Sequence, residues 1–277
     1  MFDRESFLRS RFLILGLTPL VTIAVVALVI LVGVWAVFSI YFYWQWFHYT
    51  RQSWGVSRAY RAREPSASYD DGWLDQAIFY ALPALGIIYR SWQGPTKFLG
   101  QDLFVFYVPN WLFALAAGIA AVLMSVWIVR RINSWREGHL ARAHTLYMLT
   151  HFTMFGFAYL VIPDITIGWL LINIWHNGQY ILFVWMFNAR RFKNGVDPQA
   201  RLLSFISQPR YIWLYMGVCL ALTAVFYVGI IGAIDKWLAM GIAGTVIIYQ
   251  TINFHHYIVD SMIWKVRKGP LKETLGL

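Results

Sequence analysis

The stretch Tyr249-Gln-Thr-Ile-Asn-Phe-His-His-Tyr-Ile-Val-Asp260 lies inside the last long apolar run of the chain, yet it is rich in polar and ionisable side chains. On a helix, Asn253, His256 and Asp260 fall at positions i, i+3 and i+7, so they share one face. Such groups are costly inside a membrane span, and they usually face a protein interior and mark function. This stretch therefore predicts a membrane helix whose polar face meets other helices.

The composition outside this stretch is that of a membrane protein. Of the 277 residues, 59% are hydrophobic and only 13% are charged, and apolar runs recur along the chain. Runs of about 20 apolar residues are typical of transmembrane helices. We expect an all-α, polytopic transmembrane helix bundle, with residues 1–277 as a single transmembrane domain.

Turn residues and charges divide the chain into about eight spans. The run from Phe12 to Tyr49 is too long for one span, so we place a turn near Gly33. We expect Pro83 to kink the third span, Arg51–Arg63 to form a basic loop, and Asp235-Lys236 to separate the last two spans. The expected spans are Phe12–Leu31, Val34–Tyr49, Trp73–Ile88, Trp111–Val129, Ala143–Ile162, Ile165–Phe187, Tyr211–Ile231 and Trp237–Trp264.

The basic residues predict the orientation of these spans. With eight spans, 20 of the 23 Lys and Arg residues fall on one face, and the other face holds only Arg90, Lys97 and Lys236. The positive-inside rule then places both termini in the cytoplasm, and we expect the bacterial inner (plasma) membrane. Seven spans are the alternative, with a weaker asymmetry. The net charge of +10 is explained by topology and anionic lipid headgroups, so we expect no nucleic-acid partner.

The histidines indicate a metal site, because all seven fall in the cytoplasmic half of the predicted spans or near the midplane. Neutral imidazole and carboxylate suit iron, copper or zinc, and the single cysteine, Cys219, excludes a site built of several thiolates. The expected ligands are His48, His151, His176, His255, His256 and Asp260. Histidine ligands usually donate their second N–H to an oxygen atom. The expected supporting residues are Arg51, Gln52, Asn173, Asn177, Gln179 and Asn253.

A cluster of membrane-helix histidines near the cytoplasmic face resembles, in general architecture, the integral-membrane non-haem iron oxygenases. These include the fatty-acid desaturase and hydroxylase class and the bacterial carotenoid-cleaving dioxygenases of the Brp/Blh type. The resemblance implies a mono- or dinuclear non-haem iron site that acts on a lipophilic substrate taken from the bilayer. Copper, zinc and haem rank below iron.

Three other functions remain open from the sequence. The chain could bind haem or quinone through histidines on facing helices. It could be a non-catalytic subunit of a membrane complex, in which polar side chains only join helices, at about 0.6 kcal/mol each. It could also be a transporter, although no inverted repeat is apparent. The expected partners are membrane lipids, a lipophilic small-molecule substrate, and a redox partner or other subunits of a complex.

Overall fold

The computed structural model describes residues 4–69, 72–238 and 241–263, and this part of the chain is all-α apart from one short hairpin. The helices are α1 (Arg4–Leu31), α2 (Val34–Arg63), α3 (Gly72–Gln93), α4 (Asn110–Arg136), α5 (Arg142–Gly156), α6 (Ile165–Arg191), α7 (Arg201–Ile206), α8 (Ile212–Ala224), α9 (Gly232–Leu238) and α10 (Gly241–Ile263). A π-helical turn at Phe157–Val161 extends α5, and a second one at Val225–Ile231 joins α8 to α9.

The chain divides into two compact units, and the unit boundaries fall within α2 and α6. Of the described residues, the central unit comprises 38–69 and 72–179, and the flanking unit comprises 4–37, 180–238 and 241–263. In the flanking unit, α1 packs along α10. In the central unit, α3 packs against α4 and α5 around an apolar core. This core contains Leu74, Ile78, Phe79, Trp127, Met148 and Phe152.

A small hairpin closes one end of the central unit. Its strands are β1 (Lys97–Phe98) and β2 (Gln101–Asp102), paired antiparallel. Leu99 and Gly100 have φ angles of 52° and 76°, as two-residue hairpin turns require. The Phe98 side chain is buried against aromatic rings of α2 and α6, which fixes the hairpin on the helices.

Two predicted features are confirmed, and one predicted loop is wrong. The turn at Gly33 is present, with a φ of 124° that favours glycine, and Pro83 lies inside α3 as expected. The predicted loop Arg51–Arg63 is instead helical and belongs to α2, because its serines and Arg61 have partners on other helices. Asp235-Lys236 lies within α9, directly after the candidate membrane span of residues 209–234.

The contacts inside the central unit fix the relative directions of its helices. Tyr43 meets Ser91 while Arg61 meets Asp75, so α2 and α3 are antiparallel. By the same reasoning, α3 and α4 are antiparallel, α2 and α5 are antiparallel, and α2 and α6 are parallel. Consecutive membrane spans alternate in direction. The four pairs of helix directions above are those expected for spans two to six.

Among the described residues, two helices are long and apolar enough to cross a membrane, namely residues 110–136 and 209–234. In their most apolar windows, only 11% and 6% of residues are buried within the protein. Exposed apolar surface of this extent suits contact with lipid acyl chains.

The turn between α5 and α6 depends on close backbone approach. A Cβ atom built on Gly168 would lie 2.1 Å from the carbonyl oxygen of Ala158, and one on Gly86 would lie 2.7 Å from the Cβ of Tyr159. The buried Arg90 guanidinium donates hydrogen bonds to the carbonyls of Ala158, Ile162 and Pro163. Arg90 thereby satisfies carbonyls that the end of a helix leaves without donors.

We predict that Gly168→Ala destabilises the protein by at least about 1–3 kcal/mol, because the new methyl group overlaps a backbone oxygen. Gly178→Ala, on the same helix, is the control, since no atom lies within 4 Å of its Cβ position. Unfolding in mixed detergent micelles, followed by circular dichroism, measures both variants. Equal stability of the two would contradict this packing.

Candidate metal centre and the polar network of the central unit

A stripe of polar side chains runs along α2, one residue every four positions. It consists of Gln45, Tyr49, Ser53, Ser57 and Arg61, and we call it the α2 stripe. Four helical residues advance about 400°, so each step turns the contact direction by about 40°. The stripe therefore meets α6 first, then α5 and finally α3. In the order of the stripe residues, the partners are Trp169, then Asn173, then both His151 and Tyr147, then His144, and finally Asp75.

The structure brings two of the predicted ligands together, His48 on α2 and His176 on α6. Their ring centroids are 5.1 Å apart, and a nitrogen of each ring lies within 4.8 Å of a nitrogen of the other. Both side chains are buried. Two imidazoles bound to one tetrahedral metal, with metal–nitrogen bonds of about 2.0–2.1 Å, have ring centres about 5 Å apart. The spacing of this pair therefore suits adjacent positions on a single metal ion.

Polar side chains of α2 and α6 next to the pair carry oxygen atoms that can support such a site. Tyr49 lies against the His176 ring, with centroids 4.2 Å apart, and donates a hydrogen bond of 2.9 Å to the Asn173 side chain. Gln52 donates to the backbone carbonyl of His176 at 3.4 Å. The Oε1 atoms of Gln52 and Gln179 are buried and accept no hydrogen bond from the described part of the protein. Both atoms are acceptors for a ligand or a water molecule.

The predicted ligand His151 has two protein partners. Its Nε2 lies 3.1 Å from the carbonyl oxygen of Phe79, and its Nδ1 lies 3.1 Å from Ser53 Oγ. The ring is fully buried and stacks on Phe79. Phe79 precedes Pro83 by four residues, and proline has no N–H to donate to that carbonyl. His151 thus supplies the hydrogen bond that Pro83 removes from α3. Its role as a metal ligand stays a prediction.

A buried carboxylate, Asp75, joins four helices of the central unit. Only 1% of its side chain is exposed, and it forms ion pairs with Arg61 of α2 and Arg131 of α4. The Trp127 indole donates to it at 3.0 Å, and His144 Nδ1 of α5 lies 3.9 Å away. Two arginines donate to the carboxylate oxygens, so Asp75 is a structural anchor in this arrangement.

The flanking unit contains the rest of the predicted ligands. His256 Nε2 lies 3.4 Å from Asp260 Oδ2, one turn away on α10, and Tyr180 meets the His256 ring edge-on at 5.9 Å. Asn253 donates to Gln250 at 3.4 Å, and His255 is half-buried on the same helix. Asp260 thus pairs with a histidine of its own helix. That the six predicted ligands form a mono- or dinuclear metal site stays a prediction.

The remaining predicted supporting residues have separate surroundings. Arg51 is exposed and forms a side-chain hydrogen bond with Tyr80. Asn177 is exposed and donates to Asn173 at 3.2 Å. Gln179 is half-buried and donates to Tyr147 at 2.7 Å. Of these three, Gln179 is the one directed into the polar network.

The sequence analysis missed the Asp75 anchor and the role of Arg90. One signal was present, because Asp75 begins the third predicted span at the end where Arg131 follows the fourth. A carboxylate and an arginine at equal depth in adjacent spans predict an ion pair. In the sequence, Arg90 served only as one of the positive charges used to predict topology. Its carbonyl partners lie about 70 residues away along the chain, so no local pattern indicated them.

No protein-family model, no curated protein and no solved structure matches this chain.

We predict that Asp75→Asn destabilises the protein by about 3–5 kcal/mol, because it leaves the buried Arg131 without its counter-charge. Asp102→Asn is the control, since it removes a carboxylate from an exposed pair with Lys97 and should change stability little. Unfolding titrations in mixed micelles compare the two. An Asp75→Asn variant as stable as the control would show that the anchor is dispensable.

We also predict that His151 and Pro83 are energetically coupled through the Phe79 carbonyl. His151→Leu should cost about 1–3 kcal/mol, because the carbonyl loses its donor. Pro83→Ala restores an N–H within α3, so the same His151→Leu change should cost about 0.5–3 kcal/mol less in that background. A double-mutant cycle measures this coupling. The control is a second cycle that combines His151→Leu with Pro19→Ala, a change to a proline of α1, and it should show no coupling. Equal coupling energies in the two cycles would contradict this account.

Proposed function

We propose that this chain is an integral-membrane, metal-dependent oxidoreductase with a non-haem iron site at His48 and His176. Its substrate is a lipophilic molecule that enters from the bilayer. The observation that carries the proposal is the pair of buried imidazoles on parallel helices, 5.1 Å apart between ring centroids. Two buried histidines this close are costly to maintain as packing residues alone.

The donor types around the pair favour iron over softer metals. The site offers imidazole nitrogen with oxygen atoms nearby, and the only cysteine, Cys219, belongs to α8 of the flanking unit. Iron with nitrogen and oxygen ligands keeps open positions for dioxygen and substrate. The buried Oε1 atoms of Gln52 and Gln179 can accept hydrogen bonds from metal-bound water. These residues would orient ligands, while the metal supplies the redox chemistry.

The spacing of the imidazoles favours a non-haem site over a haem held between the two histidines. Axial ligands on opposite sides of haem iron, with metal–nitrogen bonds of about 2 Å, place ring centres about 6 Å apart. His48 and His176 are closer than this, and their ring planes cross at 67°. The geometry fits neighbouring coordination positions on one ion.

Three observations support the finer assignment to an eight-span inner-membrane protein with cytoplasmic termini. Two helices have the length and apolar composition of membrane spans. The helix directions in the central unit are those of alternating spans. The Lys and Arg residues are strongly asymmetric between the predicted faces. An enzyme embedded in this way takes an insoluble substrate directly from the lipid, and a separate redox partner supplies electrons.

The decisive experiment measures metal bound to the purified chain. After anaerobic reconstitution with ferrous iron in detergent, we expect one or two iron atoms per chain and no haem absorbance band. His48→Gln and His176→Gln should each weaken iron binding by at least about 10–100-fold. His139→Gln, at a position outside the predicted site, should bind iron as the wild type does.

The outcomes separate the candidate functions. A chain that takes up no metal, or whose His48→Gln and His176→Gln variants bind iron normally, would refute the iron site and favour a structural subunit. Stoichiometric haem would instead favour a cytochrome. Unfolding of the metal-free variants shows whether lost binding reflects lost folding, since neither substitution should alter the helical signal.

A further inference from the structure

A continuous line of hydrogen bonds crosses the central unit beside the proposed metal site. Gln179 Nε2 donates to the Tyr147 hydroxyl at 2.7 Å, and that hydroxyl lies 2.8 Å from Ser53 Oγ. Ser53 Oγ lies 3.1 Å from His151 Nδ1, and His151 Nε2 lies 3.1 Å from the Phe79 carbonyl oxygen. Ser53 and His151 are fully buried.

Donor and acceptor rules give this line a direction. The Phe79 carbonyl can only accept, so His151 Nε2 carries a proton and donates it. A buried imidazole without a paired anion is neutral, so Nδ1 is an acceptor and receives the Ser53 hydroxyl proton. Ser53 Oγ can then only accept from Tyr147. The Tyr147 proton is therefore directed toward Ser53, where the Ser53 carbonyl at 3.0 Å is a second acceptor.

We propose that Tyr147 is a redox-active tyrosine whose proton is received by His151 through Ser53. The proposal rests on the proposed function for its physiological oxidant, the oxidised metal centre. One electron leaves the Tyr147 phenol for a one-electron oxidant, which in the loaded protein would be that centre. The phenolic proton moves to Ser53 Oγ as the Ser53 proton moves to His151 Nδ1. The products are a neutral tyrosyl radical, an intact serine, an imidazolium and the oxidant reduced by one electron.

The groups around Tyr147 and His151 can stabilise these products. The imidazolium of His151 would donate one N–H to Ser53 Oγ and the other to the Phe79 carbonyl, so both donors have acceptors in place. An oxidised phenol is a much stronger acid than a phenol, so its proton moves even to a buried imidazole. The path also returns the proton when the radical is reduced, because every group on it remains hydrogen-bonded.

Tyr147 is also placed to exchange electrons with the metal site. Its partner Gln179 follows His176 by one helical turn, and its partner Ser53 follows Tyr49 by one turn. Tyr49 itself donates to the amide oxygen of Asn173, which is not a base. Tyr60 stacks on Tyr147 at 5.0 Å between ring centroids and serves as a matched neighbour for the test.

The test uses the detergent-purified full chain and a photogenerated ruthenium(III) tris-bipyridine oxidant, so it needs no bound metal. Electron paramagnetic resonance of flash-illuminated, frozen samples measures the persistent tyrosyl radical. We expect Tyr147→Phe to remove this component and Tyr60→Phe to retain it. His151→Gln keeps an N–H for the Phe79 carbonyl but lacks a basic imidazole, and we expect it to reduce the signal by at least about tenfold.

The outcomes distinguish this proposal from the metal site. A persistent radical that survives in Tyr147→Phe, or an unchanged signal in His151→Gln, would overturn the relay whatever metal the protein binds. A signal that depends on both residues, in a chain that binds no iron, would leave the relay standing and refute the metal site. A structural role for His151 alone predicts normal radical yield in His151→Gln, because that variant keeps the hydrogen bond to α3.

Discussion

The α2 stripe is the constraint on which the central unit depends. Polar side chains in apolar surroundings must find partners, since an unpaired buried group costs about 1–3 kcal/mol. The stripe turns gradually around α2, so meeting that requirement at five successive positions aligns α2 with α6, α5 and α3 in sequence. The ion pairs of Asp75 with Arg61 and Arg131 then add α4 to the same end of the unit. A shift of α2 by one residue would break all of these contacts together.

Backbone carbonyls impose the second constraint. Pro83 deprives the Phe79 carbonyl of its helical donor, and the end of the π-helical turn after α5 leaves further carbonyls without donors. His151 satisfies the first, and Arg90 satisfies the others. In water such groups would be hydrated, but among apolar helices each needs a side chain from elsewhere in the chain. His151, a predicted metal ligand, and Arg90, which the sequence analysis used only to predict topology, thus both satisfy backbone carbonyls.

The histidines of the central unit differ in what their surroundings permit. His144 is held between Ser57 and the Asp75 anchor, and His151 is held between Ser53 and Phe79. His48 and His176 instead face each other, with a tyrosine and carboxamides around them. The proposed iron site and the proposed Tyr147 relay are built on the same two helices, because Ser53 and Gln179 each follow a residue of the metal site by about one turn. The same two helices, α2 and α6, would therefore position the metal and connect it to a proton acceptor.

The sequence by itself determined the helical class, the turn at Gly33, the place of Pro83 inside the third helix and the candidate histidines. Apolar run length and turn chemistry are local properties of the chain. The sequence did not reveal that residues 51–63 are helical, since a polar segment reads as a loop unless its partners are known. Only the tertiary structure shows that the His48 and His176 rings lie together and that His151 hydrogen-bonds to the Phe79 carbonyl. These assignments depend on contacts between residues up to 128 positions apart in the chain, which no local pattern encodes. Identical imidazoles acquire different chemistry from the atoms that fold against them.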